Sequence, residues 1–226
     1  IDSTGRNRVE WRDTQDVWAM AYDTPVVGFR NGTVNTLRLW SAKSSREFDL
    51  AEFNSGEYVR AVQDKTVSEN ISKVLYPADD RLAGKELRLK QQYFFVSATL
   101  QDVIRRFKKR ANWRWEELPD KVSIQMNDTH PALTVPELMR VLVDEESLEW
   151  EFAWSLTQQV CAYTNHTVLP EAMEVWPLDL WSRLLPRHVE IVEEIDRRFR
   201  HTVQQRYPNN DAKLKLLAGD VQRIQN

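Results

Sequence analysis

The chain has 226 residues, 42% hydrophobic and 29% charged, a globular composition with enough apolar material to bury the core of one large domain. Its 31 Lys and Arg against 34 Asp and Glu give a formal charge of -3, which excludes the basic excess of a nucleic-acid binder and the acidic block of a solvating tail. A single cysteine excludes an internal disulfide framework and a cysteine-based zinc site, and suits a reducing cytoplasm.

The N-terminal run IDSTGRNRVEWRDTQD is polar and lacks the apolar core of a signal peptide. No stretch approaches the roughly 18 continuous apolar residues of a membrane helix. With no initiator Met and a last run DVQRIQN that lacks punctuation, residues 1–226 read as a single incomplete domain of a longer protein. Nine Trp are expected to be mostly structural, because large aromatics bury much area.

In VWAMAYDTPVVGF, Asp23-Thr24-Pro25 signals a turn between short apolar runs. NTLRLWSAK alternates Leu37 and Leu39 with Arg38, the pattern of a half-buried strand. From about Gly56 the pattern turns helical. In GKELRLKQQYFFVSATLQDVIRRFKKR, Tyr93, Val96, Leu100, Val103, Ile104 and Phe107 fall at helical spacing. VSIQM predicts a short buried strand running into the loop Asn127 to Pro131. Thr134 and Glu137 predict a capping box for the next helix, with Pro136 in its first turn. Further helices are expected over Leu148 to Tyr163, over most of Pro170 to Leu185 with a break at Pro177, and over Pro186 to Arg206. The last should carry Val192, Ile195 and Phe199 on one face and end at Pro208-Asn209-Asn210. Strands first, then helices around one clear strand, give an α/β class that is rich in helix.

Three polar stretches lie at element ends, where sites tend to sit. They are Tyr76 to Asp80 with Arg88 further on, Asp128-Thr129-His130 at the C-terminal end of a strand, and Asn165-His166-Thr167 with Glu174 following. Each has a structural reading beside the functional one. Asp79 and Asp80 cap a helix or hold a turn, Asp128 bonds its own loop, and His130 is a satisfied turn histidine. The run Arg105 to Arg110 either complements a helix dipole or contacts an anion. Cys161, among apolar residues, reads as buried and inert. Asp128, His130, His166 and Glu174 are legitimate metal-ligand types, but none of them has zinc-motif spacing, and no metal site is expected. The six glycines form no phosphate-binding loop, and no nucleophile elbow or declared carboxylate pair of the glycosidase kind occurs.

At these loops the chain resembles the glycogen (α-glucan) phosphorylases. YDTPVVGFRNGTVNTLRLWSAK, ENISKVLYP, GKELRLKQQYFFVSATLQDVIRRFKK, NDTHPALTVPELMRVLVD, CAYTNHTVLPEAMEVWP and LLPRHVEIVEEIDRRF occur in the family's order and spacing, over residues 9 to 206. The resemblance implies the later part of the N-terminal Rossmann-like lobe of a two-lobe GT-B fold. It implies phosphorolysis of α-1,4-glucan by inorganic phosphate to glucose 1-phosphate, in a cytoplasmic homodimer. It also implies pyridoxal 5′-phosphate, whose phosphate serves the proton transfers and whose attachment Lys has no counterpart here. The piece alone is therefore expected to bind no cofactor and to be inactive.

Position by position, the resemblance implies that His166 bonds the glucosyl 6-hydroxyl and offers its carbonyl to positive charge at the anomeric carbon. It implies that Asp128, His130, Thr167 and Glu174 line the pocket beside it. Asp79, Asp80 and Arg81 would lie on a gating loop, with Arg88 beyond. There the sequence departs from many members, with Ala78 in place of an amide and Arg81 in place of an aromatic, which removes a hydrogen-bond partner and a stacking ring. Arg38, Arg105 and Arg106 match residues that contact the phosphate of AMP in nucleotide-regulated members; the helix-dipole reading of the last two stands beside that one. An alternative of a different class is a non-catalytic carbohydrate-binding or dimerisation module derived from the same fold.

Overall fold

The fold is that of a computed structural model, which describes residues 9–45, 53–169, 173–208 and 210. Two compact units divide between Thr99 and Leu100. Helices outweigh strands, and the described strands form two separate two-stranded sheets.

The first unit is built on an antiparallel hairpin. β1 (Val17–Val27) pairs with β2 (Val34–Ser44) from Val17 opposite Ser44 to Val27 opposite Val34. The turn expected at Asp23-Thr24-Pro25 does not form, and β1 runs straight through it. Two features permit this. Asp23 lies opposite Arg38 and accepts two hydrogen bonds from its Nε and Nη2, each 2.6 Å. Pro25 lies on an edge strand, where a missing N–H is tolerated.

Register sorts the side chains into two faces, because successive residues of a strand point to opposite sides. On one face Ala42 is buried with Ile71 and Phe94, and Val17, Ala19, Trp40 and Phe95 pack around them. α1 (Arg60–Lys73) covers β2 on that side. Arg38 shares this face, half-buried between Asp23 and the ring of Trp40. Leu37 and Leu39 therefore point the other way. They are exposed rather than half-buried, beside Trp18, Met20 and Tyr22.

After α1 a loop leads into α2 (Leu82–Lys108), within which the boundary between units falls. Gln91 of α2 donates to the carbonyl of Val74 at 2.7 Å and pins the start of the loop. The end of α2 is closed by aromatics. Phe107 stacks on Trp115 and meets Trp113 edge-on. Among the nine Trp, Trp181 is buried and Trp18 is 64% exposed.

The second unit contains a β-α-β crossover. After a 3-10 turn (Trp115–Glu117) and α3 (Leu118–Lys121), β3 (Ile124–Asn127) leads into α4 (Thr134–Arg140). A π-helical turn (Val141–Glu145) and α5 (Trp150–Val160) follow, and β4 (Cys161–Thr164) returns parallel to β3. The helix expected over Leu148 to Tyr163 thus stops at Val160. Cys161 to Thr164 leave it because they find hydrogen-bonding partners in β3. α6 (Leu178–Leu184) and α7 (Pro186–Arg206) complete the unit. Residues 173–177 are not helical, and 170–172 lie outside the described residues, as does Asn209 in the expected stop signal.

α4 packs against α5 and α7, and α6 against α7. Leu138, Met139, Leu142, Leu156, Leu180 and Ile191 are each 2% exposed or less. The buried residues of α7 are His188, Val189, Ile191 and Val203; Val192 and Ile195 of the expected stripe are half-buried on the same face, and Phe199, further along it, is exposed. His188 is drawn inward by Glu137, its Nε2 2.7 Å from Oε2. The capping box likewise does not form. Thr134 lies inside the helix, with Leu133 at the cap position and no side-chain capping bond. The Glu137 carboxylate instead accepts from Arg140 at 2.7 and 2.9 Å as well as meeting His188.

Candidate functional site

Open α/β sheets bind ligands outside the carboxyl ends of their parallel strands, where loops leave the sheet. β3 and β4 supply such an end. Their register places Asn127 beside Thr164, and the chain beyond each supplies the polar side chains. Backbone bonding continues one step past the strands, with the Asp128 amide donating to the Thr164 carbonyl at 2.9 Å. Gln125 Nε2 donates to Thr164 Oγ1 at 2.8 Å and adds a side-chain clamp.

At Asp128 the β3 chain turns sharply through a left-handed conformation, φ 72°. Aspartate tolerates that region better than most residues. Its Oδ1 accepts from the Thr129 amide at 2.7 Å, so the loop-bonding role expected of this carboxylate is present. Thr129 Oγ1 then donates to Glu174 Oε2 at 3.1 Å, tying the β3 loop to the segment before α6. His130 follows, half-buried.

The β4 loop is stiffened by Asn165. Its Nδ2 donates to the Thr167 carbonyl at 2.7 Å, and its Oδ1 accepts from the Thr167 amide at 3.2 Å. Thr167 Oγ1 accepts from the Leu169 amide at 3.1 Å. His166, at the apex, is exposed, and its Nε2 forms a hydrogen bond with Oδ1 of Asn127 across the strand pair. Cys161, at the start of β4 rather than on a helix, is half-buried; burial pushes its thiol up to about 11, leaving it protonated near neutral pH.

Five expected site residues therefore lie on the loops and segment joined in this way: Asp128, His130, His166, Thr167 and Glu174. Of the other participants, Thr129 belonged to an expected polar stretch without a role of its own, and Asn127 was not expected. The signal for Asn127 was the parallel pairing of β3 with β4, which sequence periodicity does not reveal.

The others lie elsewhere. Asp79 and Asp80 sit exposed on the loop between α1 and α2 of the first unit, and Arg88 on α2 lies over the Tyr76 ring at 5.6 Å. Arg38 is engaged by Asp23 on the hairpin. Arg105 and Arg106, near the end of α2, both pair with Asp102, Arg106 at 2.8 Å.

The side chains at the β3 and β4 ends are amides, carboxylates, hydroxyls and imidazoles, the donors and acceptors that suit a polyhydroxylated ligand. No lysine occurs in the loop residues 127–131 or 164–169, so they provide no amine for an aldehyde cofactor.

Comparison with known proteins bears on this geometry. The profile of the family described as carbohydrate phosphorylase matches residues 1–223. The chain is 55% identical over 226 residues to the muscle form of glycogen phosphorylase from Ovis aries, covering 95% of this chain. It is 54% identical over 227 residues to the human brain form, covering 96%. The chain spans about 27% of the length of these relatives.

Proposed function

Because the chain belongs to the carbohydrate phosphorylase family, we propose that it forms part of an enzyme that transfers a glucosyl unit from α-1,4-glucan to inorganic phosphate. In this reading residues 1–226 are the later part of the N-terminal lobe of a GT-B fold. A second lobe carries pyridoxal 5′-phosphate and its lysine, and the piece alone is inactive. The whole protein is a cytoplasmic homodimer, and AMP would meet Arg38, Arg105 and Arg106 through its phosphate. The observation that carries the reading is the cluster at the parallel strand ends. It joins Asp128, Thr129 and Glu174 on one side and Asn127 and His166 on the other.

The chemistry follows from these side chains. His166 presents an imidazole to the 6-hydroxyl of the sugar, and its backbone carbonyl faces developing positive charge at the anomeric carbon. Asp128, His130, Thr167 and Glu174 line the adjoining pocket and orient hydroxyls. Asp79, Asp80 and Arg81 are assigned to the loop that gates substrate entry, and Arg88 to substrate binding. Exclusion of water at that gate lets phosphate rather than water accept the glucosyl group. The strand-end residues offer no amine to the cofactor.

The test uses the full-length protein, maltoheptaose and phosphate. Release of glucose 1-phosphate should require phosphate, and His166→Ala should lower kcat/KM roughly a hundredfold, the scale of lost positioning at a reacting centre. Turnover unaffected by His166→Ala would remove His166 from the site. An absence of phosphorolysis in the cofactor-loaded wild type would favour a binding module instead.

A further inference from the structure

We propose that Asn127 is the positioning residue of His166: its amide oxygen fixes the imidazole tautomer and thereby makes Nδ1 the acceptor for a sugar hydroxyl. The inference rests on the reading above, in which His166 meets the glucosyl 6-hydroxyl. It goes further by naming the partner that orients the ring and the direction of the hydrogen bond to the ligand.

The two residues lie 39 positions apart in sequence and meet across the strand pair. Asn127 is the last residue of β3 and sits in register with Thr164, the last of β4. His166 follows two residues later. The backbone bond from Asp128 to Thr164 and the side-chain bond from Gln125 to Thr164 lie on either side of this register point. Asn127 is therefore held against β4 by bonds that do not involve His166. Asn165 and Thr167 bond to each other and shape the loop, and the His166 ring bonds to β3 through Asn127.

An amide oxygen only accepts, so the nitrogen facing Oδ1 must carry the proton. In a neutral imidazole the hydrogen bond made by one nitrogen decides the state of the other. With Nε2 protonated toward Asn127, Nδ1 holds a lone pair and accepts a hydrogen bond from a ligand hydroxyl. A ligand without that hydroxyl leaves Nδ1 unpaired. Asn127 thus acts on specificity through the ring, without touching the sugar.

The experiment compares glucose 1-phosphate with 6-deoxyglucose 1-phosphate in the synthetic direction, using the full-length holoenzyme. The readout is the ratio of their kcat/KM values. Asn127→Leu, close in size and without an acceptor, should lower this preference about tenfold, the effect of losing one oriented hydrogen bond. Asn127→Asp keeps an accepting oxygen in the same place and should retain the preference. A merely structural Asn127 would slow both substrates alike and leave the ratio unchanged, which would overturn the proposal. Loss of preference in Asn127→Asp equal to that in Asn127→Leu would overturn it too. His166→Ala separates the two levels. If it abolishes the preference while Asn127→Leu does not, only the positioning role fails. If it leaves the preference intact, the reading beneath fails as well.

Discussion

Glu137 shows how one buried carboxylate sets the stability of the second unit. Its side chain has no exposure and sits between Arg140 and His188. Burial pushes its carboxyl up, but hydrogen bonds from His188 and Arg140, with the charge of Arg140, pull it down to about 2 from 4.5. The folded value lies below the unfolded one. The stabilisation is therefore complete above about pH 5 and lost as pH falls toward about 2, and the gap corresponds to about 3 kcal/mol. Glu137→Gln should cost stability on that order at neutral pH and flatten the acid limb of the stability profile. Denaturant unfolding over the acid range checks both. An acid limb as steep in the variant as in the wild type would assign the loss to other carboxylates. The same residue marks a limit of sequence reading. Three positions after Thr134, Glu137 matched a capping box, but burial and a partner 51 residues away claimed its carboxylate.

At the scale of elements, legibility depended on whether an element's cause was local. α2 and α7 were readable because their apolar spacing and, for α7, Pro186 at the first turn are local signals. β4 was not. CAYT follows α5 with no Gly or Pro between, and only pairing with β3 draws it into a strand. β1 was misjudged for a related reason, since the Asp23-Thr24-Pro25 turn signal yields to cross-strand pairing with Arg38. The strand-end site was half legible. His166 and Asp128 announce themselves as polar residues in loops, whereas Asn127 gains its role from a strand 37 residues away. The loop between α1 and α2 depends on Gly84, where a Cβ would lie 1.8 Å from the Ala78 carbonyl oxygen. That atom is backbone, so Gly84→Ala must displace the loop bearing Asp79 and Asp80, at a cost of about 1–3 kcal/mol. The expected result is a lower melting temperature and faster protease cleavage within residues 76–81. Unchanged cleavage would show that the helix start moves instead.

Across the whole molecule, the two faces of the hairpin differ in what they face. One is buried on α1; the other leaves Trp18, Tyr22 and Leu39 each more than half exposed. Adjacent exposed apolar side chains of this size are an association hazard. The 226-residue chain should scatter light increasingly with concentration and bind a hydrophobic dye. Trp18→Ser with Leu39→Ser should reduce both, with a change in stability of about 0.5 kcal/mol or less for each surface site. Scattering that persists in this double variant would locate the sticky surface elsewhere.

The crossover between β3 and β4 has a consequence in time. Parallel strands cannot be joined by a tight turn, and the intervening α4, π-helical turn and α5 must be in place before Asn127 reaches Thr164. Closing a loop of that length costs entropy before the contacts repay it, so the strand pair forms after the local helices. His166 and Asp128 then reach their places later than α4 and α5 do. Because both strand ends are secured through one short ladder, its opening releases both loops together. The strand-end cluster is present as a unit or absent as a unit, and a nascent chain holds helices well before it holds that cluster.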